Sequence, residues 1–240
     1  MRIKVEGKTL EYKDINAPQF EKLLPLVAQN SMASAFEGFP LLYSLYCNIE
    51  HLVRNDISGD VVECGVWRGG MMQLAALTLI GLGDTSRKIY LYDTYDGMPD
   101  PGKEDLNWDG ISPRDTIQHF RSQGEKWGFG GSIETVRETM LSTGYPEENL
   151  VFVKGMVEET IPEQIPEQIA LLRLDTDFYE STLHELEHLY PLLVSGGFLI
   201  IDDYGYYKGA RRATDQYLAA HQPDLWLSRI HDSVRIGVKP

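Results

Sequence analysis

Two apolar runs, each followed by carboxylates, constrain the fold of this chain more than any other feature of its sequence. Residues 169–174 are followed by Asp175, and residues 198–201 are followed by Asp202 and Asp203. Runs that are apolar at almost every position, rather than at every second one, are typical of strands that helices cover on both faces. The sequence therefore predicts an α/β fold built on a mostly parallel sheet.

These carboxylates raise the question of a metal ion. Ligands of open parallel sheets bind at the carboxyl ends of the strands, so Asp175, Asp202 and Asp203 should meet if their two strands are neighbours. Three carboxylates in one place repel one another unless a hard divalent cation neutralises them. The alternative is that Asp175 and Asp202 only cap the helices that follow their strands. These residues alone leave both interpretations open.

Composition and charge narrow the range of partners. The chain has 240 residues, enough for one well-covered domain, and no linker rich in Pro, Gly or Ser divides it. Its 36 acidic and 22 basic side chains give a net charge of −14, which disfavours nucleic acids because their binding depends on phosphate contacts. The sequence shows no signal-peptide core and no apolar stretch of membrane-spanning length. We therefore expect a cytoplasmic protein that binds neither nucleic acid nor membrane.

We predict one structural domain with two additions. Residues 1–55 indicate a hairpin and helices that extend and cover the sheet, and residues 56–240 carry the sheet itself. Within the second part, residues 94–131 form a long stretch rich in Gly, Pro and aromatic residues. Loops of this length in a compact domain are usually functional, which favours a lid over the substrate; a satellite hydrophobic cluster is the alternative. The last strands, within residues 225–238, indicate an antiparallel hairpin.

Two local features complete the prediction of the fold. Pro25 should end or kink the helix that begins at Pro18 near its middle, because proline cannot donate the helical hydrogen bond. The Ser-Gly-Gly sequence at residues 195–197 should form a turn before the strand at 198–201.

A glycine turn follows the first predicted strand of the sheet. The sequence Glu63-Cys-Gly65-Val66-Trp-Arg-Gly69-Gly places glycines where a ligand can approach the backbone, as in nucleotide-binding folds. It lacks the Gly-x-Gly-x-x-Gly of dinucleotide folds and the Gly-Lys-Ser/Thr of phosphate loops, so neither a dinucleotide nor a triphosphate is favoured. The carboxylate of Glu63 suits a cationic group such as an amine or a sulfonium ion.

Two further strand ends fit a nucleoside. Asp93 follows the second predicted strand, where an acid can accept hydrogen bonds from ribose hydroxyls in a doubly wound fold. The alternative for Asp93 is an Asp turn or cap. Gly155 and Met156 follow the third predicted strand, at a place where backbone and apolar atoms can contact an adenine ring.

Together, these motifs resemble those of a class I S-adenosylmethionine-dependent methyltransferase. This resemblance implies a Rossmann-like, seven-stranded sheet with an antiparallel terminal hairpin and helices on both faces. The match narrows to the macrocin O-methyltransferase (TylF) family, whose pattern is similar to four segments of this sequence, residues 63–70, 93–99, 172–182 and 196–204. Members of that family methylate macrolide sugars and an aminocoumarin precursor.

The resemblance implies a role for each matching residue. The methionine part of the cofactor would lie against Glu63, Gly65, Val66 and Gly69, its ribose against Asp93, and the metal ligands would be Asp175, Asp202 and Asp203. Asp175 would also contact the cofactor, and Asp177 matches the proposed general base. A loop that folds over the cofactor gives Ser31 and Ser34 as cofactor contacts and Glu37 as an acceptor contact. We assign Tyr95, Trp108, Tyr204 and Arg211 to the acceptor side.

The implied activity is O-methylation of a small molecule with S-adenosylmethionine and Mg²⁺. A sugar hydroxyl is the first choice of acceptor and a catechol or phenol the second, and Mg²⁺ would lower the pKa of that hydroxyl, as it does for bound water. A metal-dependent glycosyltransferase that uses Asp175 and Asp177 is one alternative, although it leaves the turn at Glu63 unexplained. A non-catalytic cofactor-binding protein is another. The expected assembly is a homo-oligomer.

Overall fold

A mixed sheet forms the centre of the protein. The computed structural model describes residues 2–5, 8–12, 14–31, 38–221 and 224–240. The strands in this part of the chain are β1 (Arg2–Val5), β2 (Lys8–Glu11), β3 (Asp60–Cys64), β4 (Ile89–Asp93), β5 (Leu150–Lys154), β6 (Ile169–Leu174), β7 (Leu193–Ile201), β8 (Ser228–Arg229) and β9 (Arg235–Val238). Strands β1 and β2 form a separate antiparallel pair. The other seven form one sheet in the order β5-β4-β3-β6-β7-β9-β8.

The direction of the strands confirms the predicted sheet. Strands β3 to β7 pair in parallel, whereas β9 pairs antiparallel with both β7 and β8. The order runs outward from β3 in both directions, which places the carboxyl ends of β3 and β6 side by side near the middle of the sheet. Ligands of such sheets bind at this kind of position.

Helices cover both faces of the sheet. They are α1 (Pro18–Val27), α2 (Gly38–Arg54), α3 (Gly70–Leu82), α4 (Arg114–Ser122), α5 (Ile133–Leu141), α6 (Val157–Thr160), α7 (Tyr179–Leu189) and α8 (Lys208–His221). Side chains of α1, α2, α3 and α5 pack into one apolar core and those of α7 and α8 into another. None of the described helices has both the length and the apolar character needed to cross a membrane.

The alternation of side chains along each strand supplies both cores. Val61 and Val62 are neighbours in β3, yet Val61 lies in the core under α2 and α3 and Val62 in the core under α7. Leu171 and Leu172 divide in the same way in β6. Because each of these side chains is fully buried, each contributes roughly 1.5–3 kcal/mol of hydrophobic free energy. This two-sided burial explains the nearly continuous apolar runs of the sequence.

The structure differs from the sequence prediction at two places. Residues 195–197 were expected to form a turn, but they lie inside β7, because Gly196 N donates to Lys239 O and Lys239 N donates to Gly197 O. Pro25 was expected to end or kink its helix near the middle, but α1 continues to Val27. Pro25 lies in the last turn of α1, where its missing N–H removes a single helical hydrogen bond.

The insertion at residues 94–131 packs against the sheet domain. It contains α4, and Ile117 of that helix packs with Phe178, Tyr207 and Ala210 in a small apolar cluster. A satellite cluster is therefore present, but the segment contributes Ile117 to it and none of the aromatic residues Tyr95, Trp108, Trp127 and Phe129. A lid function for the rest of the segment stays a prediction.

A buried aspartate holds this insertion in place. Asp105 accepts hydrogen bonds from Gly102 N and from Tyr179 N, the first residue of α7, at 2.7 Å each. Gly209 of α8 lies so close that a Cβ atom there would be 2.0 Å from Asp105 Oδ1, which makes glycine necessary. We call this contact the Asp105 anchor. It ties the insertion to the starts of both helices that follow the acidic strand ends.

Candidate active site

The glycine turn after β3 lies directly against the acidic end of β6. Gly65 has a φ of +85°, and a Cβ atom there would be 2.0 Å from the carbonyl oxygen of Asp175. Asp175 N donates to Cys64 O at 2.8 Å, which holds the two strand ends together. The turn continues to Gly69, which precedes α3. The predicted cofactor turn and the predicted metal ligands are thus adjacent.

The carboxylate of Asp93 shapes this turn. Its Oδ2 accepts hydrogen bonds from Val66 N at 2.7 Å and Trp67 N at 3.0 Å, and its Oδ1 accepts one from Tyr95 N at 2.6 Å. The turn-forming role, which the sequence left open as an alternative, is therefore present. A contact with ribose stays a prediction for the remaining lone pairs of this half-buried carboxylate.

The carboxylates of Asp175, Asp202 and Asp203 meet as expected. Each offers an oxygen within 4.8 Å of the oxygens of the other two. Burial raises the pKa of Asp175 and of Asp203 well above the ordinary value, and neighbouring carboxylates act in the same direction. Arg173 opposes this effect at Asp175, so the repulsion that a further cation would relieve is only partly offset within the protein.

These carboxylates suit a hard divalent cation. All three supply oxygen donors, which Mg²⁺ prefers. In addition, Asp203 Oδ2 is buried and has no hydrogen-bond donor among the described residues. A buried acceptor without a donor is costly, and a cation at this position would satisfy it.

Asp177 lies beside the cluster in an unusual backbone conformation. Its φ is +69°, in the left-handed region that Asp and Asn tolerate better than most residues. Its carboxyl lies close enough to that of Asp203 for a hydrogen bond when one of the two is protonated. Burial, together with the charge of Asp175, raises the pKa of Asp177 to about 8.

Arg173 also belongs to the site, although no motif of the sequence pointed to it. Its guanidinium is buried and contacts Glu63 Oε1 at 2.6 Å and Asp175 Oδ2 at 2.8 Å, and it also bonds Asp202 Oδ2. Burial alone would lower the pKa of Arg173, but these carboxylates raise it well above its ordinary value. The available signal was one charged residue inside the apolar run 169–174, which pairs with Glu63 in the sheet register.

Glu63 is fully buried and has a protein cation as its partner. Its Oε1 is bound by Arg173, and its Oε2 has no hydrogen-bond partner among the described residues. Burial raises the pKa of Glu63 to about 7, against the opposing effect of Arg173. A cofactor contact for Glu63 stays a prediction. Its Oε2 is the oxygen available for such a contact, because Oε1 is bound by Arg173.

The remaining predicted cofactor contacts lie around the same strand ends. Gly155 N donates to Asp93 O at 3.0 Å, so Gly155 and Met156 are next to Asp93. Ser31 is buried, and its hydroxyl donates to Val27 O at 3.0 Å, while the preceding residue, Asn30, accepts from Gly70 N at the start of α3. Ser34 and Glu37 lie outside the described residues.

The predicted acceptor residues have different surroundings. Tyr95 is buried in the core and its hydroxyl donates to Leu91 O, so the structure does not support its predicted contact with the acceptor. Trp108 is half exposed, and its ring lies 5.5 Å from that of Tyr206. Tyr204 donates to Asp215, and the guanidinium of Arg211 lies over the Tyr204 ring. Trp108 and Arg211 are exposed and Tyr204 is half-buried, and an acceptor contact stays a prediction for all three.

The sheet order, the glycine turn and the acids at the ends of β6 and β7 define a Rossmann-like α/β protein with a candidate ligand site at the carboxyl edge of its sheet. The solved structure of the O-methyltransferase NovP is similar to it over 83% of this chain and 79% of that chain, with a TM-score of 0.72 and 30% sequence identity. The chain belongs to the TylF family, whose sequence model, described as macrocin-O-methyltransferase, matches residues 24–234. The predicted family and fold are confirmed.

Two curated relatives are similar to most of the chain. One is the 8-demethyl-8-(2,3-dimethoxy-alpha-L-rhamnosyl)-tetracenomycin-C 4'-O-methyltransferase of Streptomyces olivaceus, 33% identical over 174 residues, or 72% of this chain. The other is the demethyldecarbamoylnovobiocin O-methyltransferase of Streptomyces niveus, 33% identical over 182 residues, or 76% of this chain. The matches cover 64% and 66% of the two relatives, so the chain spans a little under two thirds of their length.

Proposed function

We propose that this protein transfers the methyl group of S-adenosylmethionine to a hydroxyl of a small molecule, with Mg²⁺ bound by three aspartates. One observation carries the proposal. The glycine turn after β3 and the acids Asp175, Asp202 and Asp203 share one edge of the sheet, and Gly65 touches the backbone of Asp175. A glycosyltransferase does not require this turn, and helix caps alone do not require three converging carboxylates.

The cofactor would lie along the carboxyl ends of β3, β4 and β5. We assign its methionine part to Glu63, Gly65, Val66 and Gly69, its ribose to Asp93, and its adenine to Gly155 and Met156. Asp175, Ser31 and Ser34 complete the proposed contacts. The positive sulfonium ion suits an edge of the sheet where carboxylates exceed cations. Residues 1–55 would act as a cover and residues 94–131 as a lid.

The metal ligands and the base would act on the acceptor side. Asp175, Asp202 and Asp203 would hold the Mg²⁺, which would lower the pKa of an acceptor hydroxyl. The hydroxyl oxygen forms a bond to the methyl carbon while the bond from that carbon to sulfur breaks, which leaves S-adenosylhomocysteine. The hydroxyl proton would pass to Asp177, whose carboxyl lies beside that of Asp203 at the acidic cluster.

The acceptor would be a sugar hydroxyl of a glycosylated natural product. The name of one relative places its methyl transfer on a rhamnosyl-bearing compound, and that of the other names a novobiocin precursor. We assign Trp108, Tyr204, Arg211 and Glu37 to the acceptor side. The proposed enzyme works in the cytoplasm as a homo-oligomer.

Two measurements test this function. Calorimetry should detect binding of S-adenosylmethionine and of Mg²⁺, and no binding of UDP-sugars. A methyl-transfer screen against glycosylated natural products, free sugars, catechols and phenols, with product masses, should give a product 14 Da heavier than a glycosylated acceptor, a gain that corresponds to one added CH₂. Transfer that persists in EDTA would remove the metal from the proposal, and transfer to phenols alone would replace the sugar.

A further inference from the structure

A buried arginine connects the end of β3, where the glycine turn begins, with the acidic ends of β6 and β7. The side chain of Arg173 is 6% exposed and contacts Glu63 at the end of β3, Asp175 at the end of β6 and Asp202 at the end of β7. Each contact uses one carboxylate oxygen, Oε1 of Glu63 and Oδ2 of the two aspartates. The position of Arg173 in β6, paired with Glu63 in the register, holds the guanidinium between the three strand ends.

This guanidinium has two physical effects on the carboxylates. Its planar, rigid set of donors orients each carboxylate that it binds, since Arg matches carboxylate geometry better than a point charge does. Its positive charge also offsets part of the repulsion among Glu63, Asp175 and Asp202. The first effect would aid a divalent cation, because its ligands are held in place. The second would oppose the cation, because two positive charges then share the same acids.

We propose that Arg173 is a positioning residue that orders Asp175 and Asp202 for metal binding at the expense of metal affinity. This inference rests on the proposed function, since it takes the three aspartates as the metal ligands. The residue makes the carboxylate cluster stable without the metal and keeps the metal more weakly bound than bare carboxylates would. Arg173 itself contacts neither the acceptor nor the methyl group in this scheme.

The alternative is that Arg173 only stabilises the fold. The two roles predict opposite effects on the metal. Loss of a purely structural arginine would loosen the ligands and weaken metal binding together with stability. Loss of a competing positive charge would instead strengthen metal binding while the ligand geometry becomes worse.

The test uses the full chain and Mn²⁺ as the probe, with binding measured by calorimetry and ligand symmetry by electron paramagnetic resonance. We expect Arg173→Met to bind Mn²⁺ about 10-fold more tightly than the wild type, because a unit charge a few Å away is removed. Its Mn²⁺ spectrum should broaden as the ligands lose their order. Arg173→Lys keeps the charge but not the planar donors, so its affinity should stay within about 3-fold of the wild type while the spectrum still changes.

Arg87→Met is the matched control. Arg87 is also shielded, with 10% of its side chain exposed, and it bonds Asp84 and the backbone of Gly59 at the opposite end of β3. This variant should lose thermal stability and leave both the Mn²⁺ affinity and the spectrum unchanged. If Arg173→Met does not fold, Arg173→Lys with a wild-type spectrum overturns the inference, and one with a changed spectrum and preserved affinity supports it.

The outcomes separate this inference from the proposed function. A wild-type protein that binds no Mn²⁺ overturns the proposed metal site, and the inference with it. A wild type that binds Mn²⁺, together with an Arg173→Met variant of equal or weaker affinity, overturns the inference alone.

Discussion

Asp93 and Asp203 both stand at the carboxyl ends of strands in the same sheet, yet their carboxylates are used differently. Asp93 accepts three backbone hydrogen bonds, from Val66, Trp67 and Tyr95. Asp203 has a buried oxygen without a donor among the described residues, and it lies with Asp175 and Asp202. The difference shows that a strand end brings an acid to the edge of the sheet, whereas nearby backbone donors decide whether it shapes a turn or stays available to a ligand.

The largest effect should come from Asp202, one of the three proposed metal ligands. Asp202→Asn removes a charge from the proposed Mg²⁺ site, which is worth several kcal/mol in charge stabilisation, so methyl transfer should fall by at least about 10³-fold at about 1.4 kcal/mol per tenfold. The affinity for S-adenosylmethionine should stay close to wild type in calorimetry. Asp232→Asn, on an exposed acid paired with Arg229, is the control. Unchanged turnover in Asp202→Asn would show that the converging acids are not metal ligands.

A smaller loss should follow at the proposed base. Asp177→Asn keeps a side chain that tolerates the left-handed backbone of this position. The variant should lose roughly 10²-fold in kcat, the lower range for a general base, and bind Mg²⁺ as the wild type does. Single-turnover kinetics and metal calorimetry measure the two quantities separately. A fully active variant would exclude Asp177 from the mechanism.

The loss of Asp93 should lower stability, in addition to removing the proposed ribose contact. Asp93→Ala leaves the N–H groups of Val66 and Trp67 without an acceptor, at a cost of about 1–3 kcal/mol. For a chain of this size, each kcal/mol lowers Tm by about 2–4 °C. Asp93→Asn keeps one carbonyl oxygen and should lie between Ala and the wild type. A wild-type Tm for the Ala variant would mean that these hydrogen bonds are replaced by water.

The smallest expected effect is the rise in Tm on Mg²⁺ binding, which should distinguish the role of Asp93 from that of Asp202. Mg²⁺ at ten times its Kd should stabilise the wild type by about 1.4 kcal/mol, which corresponds to about 3–6 °C in Tm. Asp93→Ala should keep this shift and Asp202→Asn should lose it. A shift that is also lost in Asp93→Ala would show that the turn and the acidic cluster do not act separately.

The sequence predicted the sheet because its signals are local to each strand. The run at residues 169–174 is β6 at both bounds, and the acids after β6 and β7 converge because the register sets Leu174 opposite Ile201. The error at residues 195–197 has a physical reason. The Gly-Gly pair is typical of a turn, whereas the pairing of this segment with Lys239 depends on a strand far away in the sequence.

Side-chain partners were harder to predict than positions. Glu63 was assigned to a cationic ligand by its place at the end of β3, but the cation that meets Oε1 is Arg173, whose position was hidden inside an apolar run. Tyr95 lies two residues after Asp93, a position that favoured a contact with the acceptor, yet its side chain is buried in the core. Neither outcome follows from spacing along the chain, because each depends on which residues the folded chain brings next to the side chain.

The Asp105 anchor fixes the insertion just before its exposed tip at residues 108–111. Both oxygens of this buried carboxylate are bound, and Gly209 leaves no space for it to move towards α8. Residue 105 therefore cannot move away from α7 without breaking the hydrogen bond from Tyr179 N. Beyond the anchor, Trp108 and Ile111 project into solvent. Substitutions at this tip, residues 108–111, would change the exposed surface of the insertion without removing either hydrogen bond of the anchor.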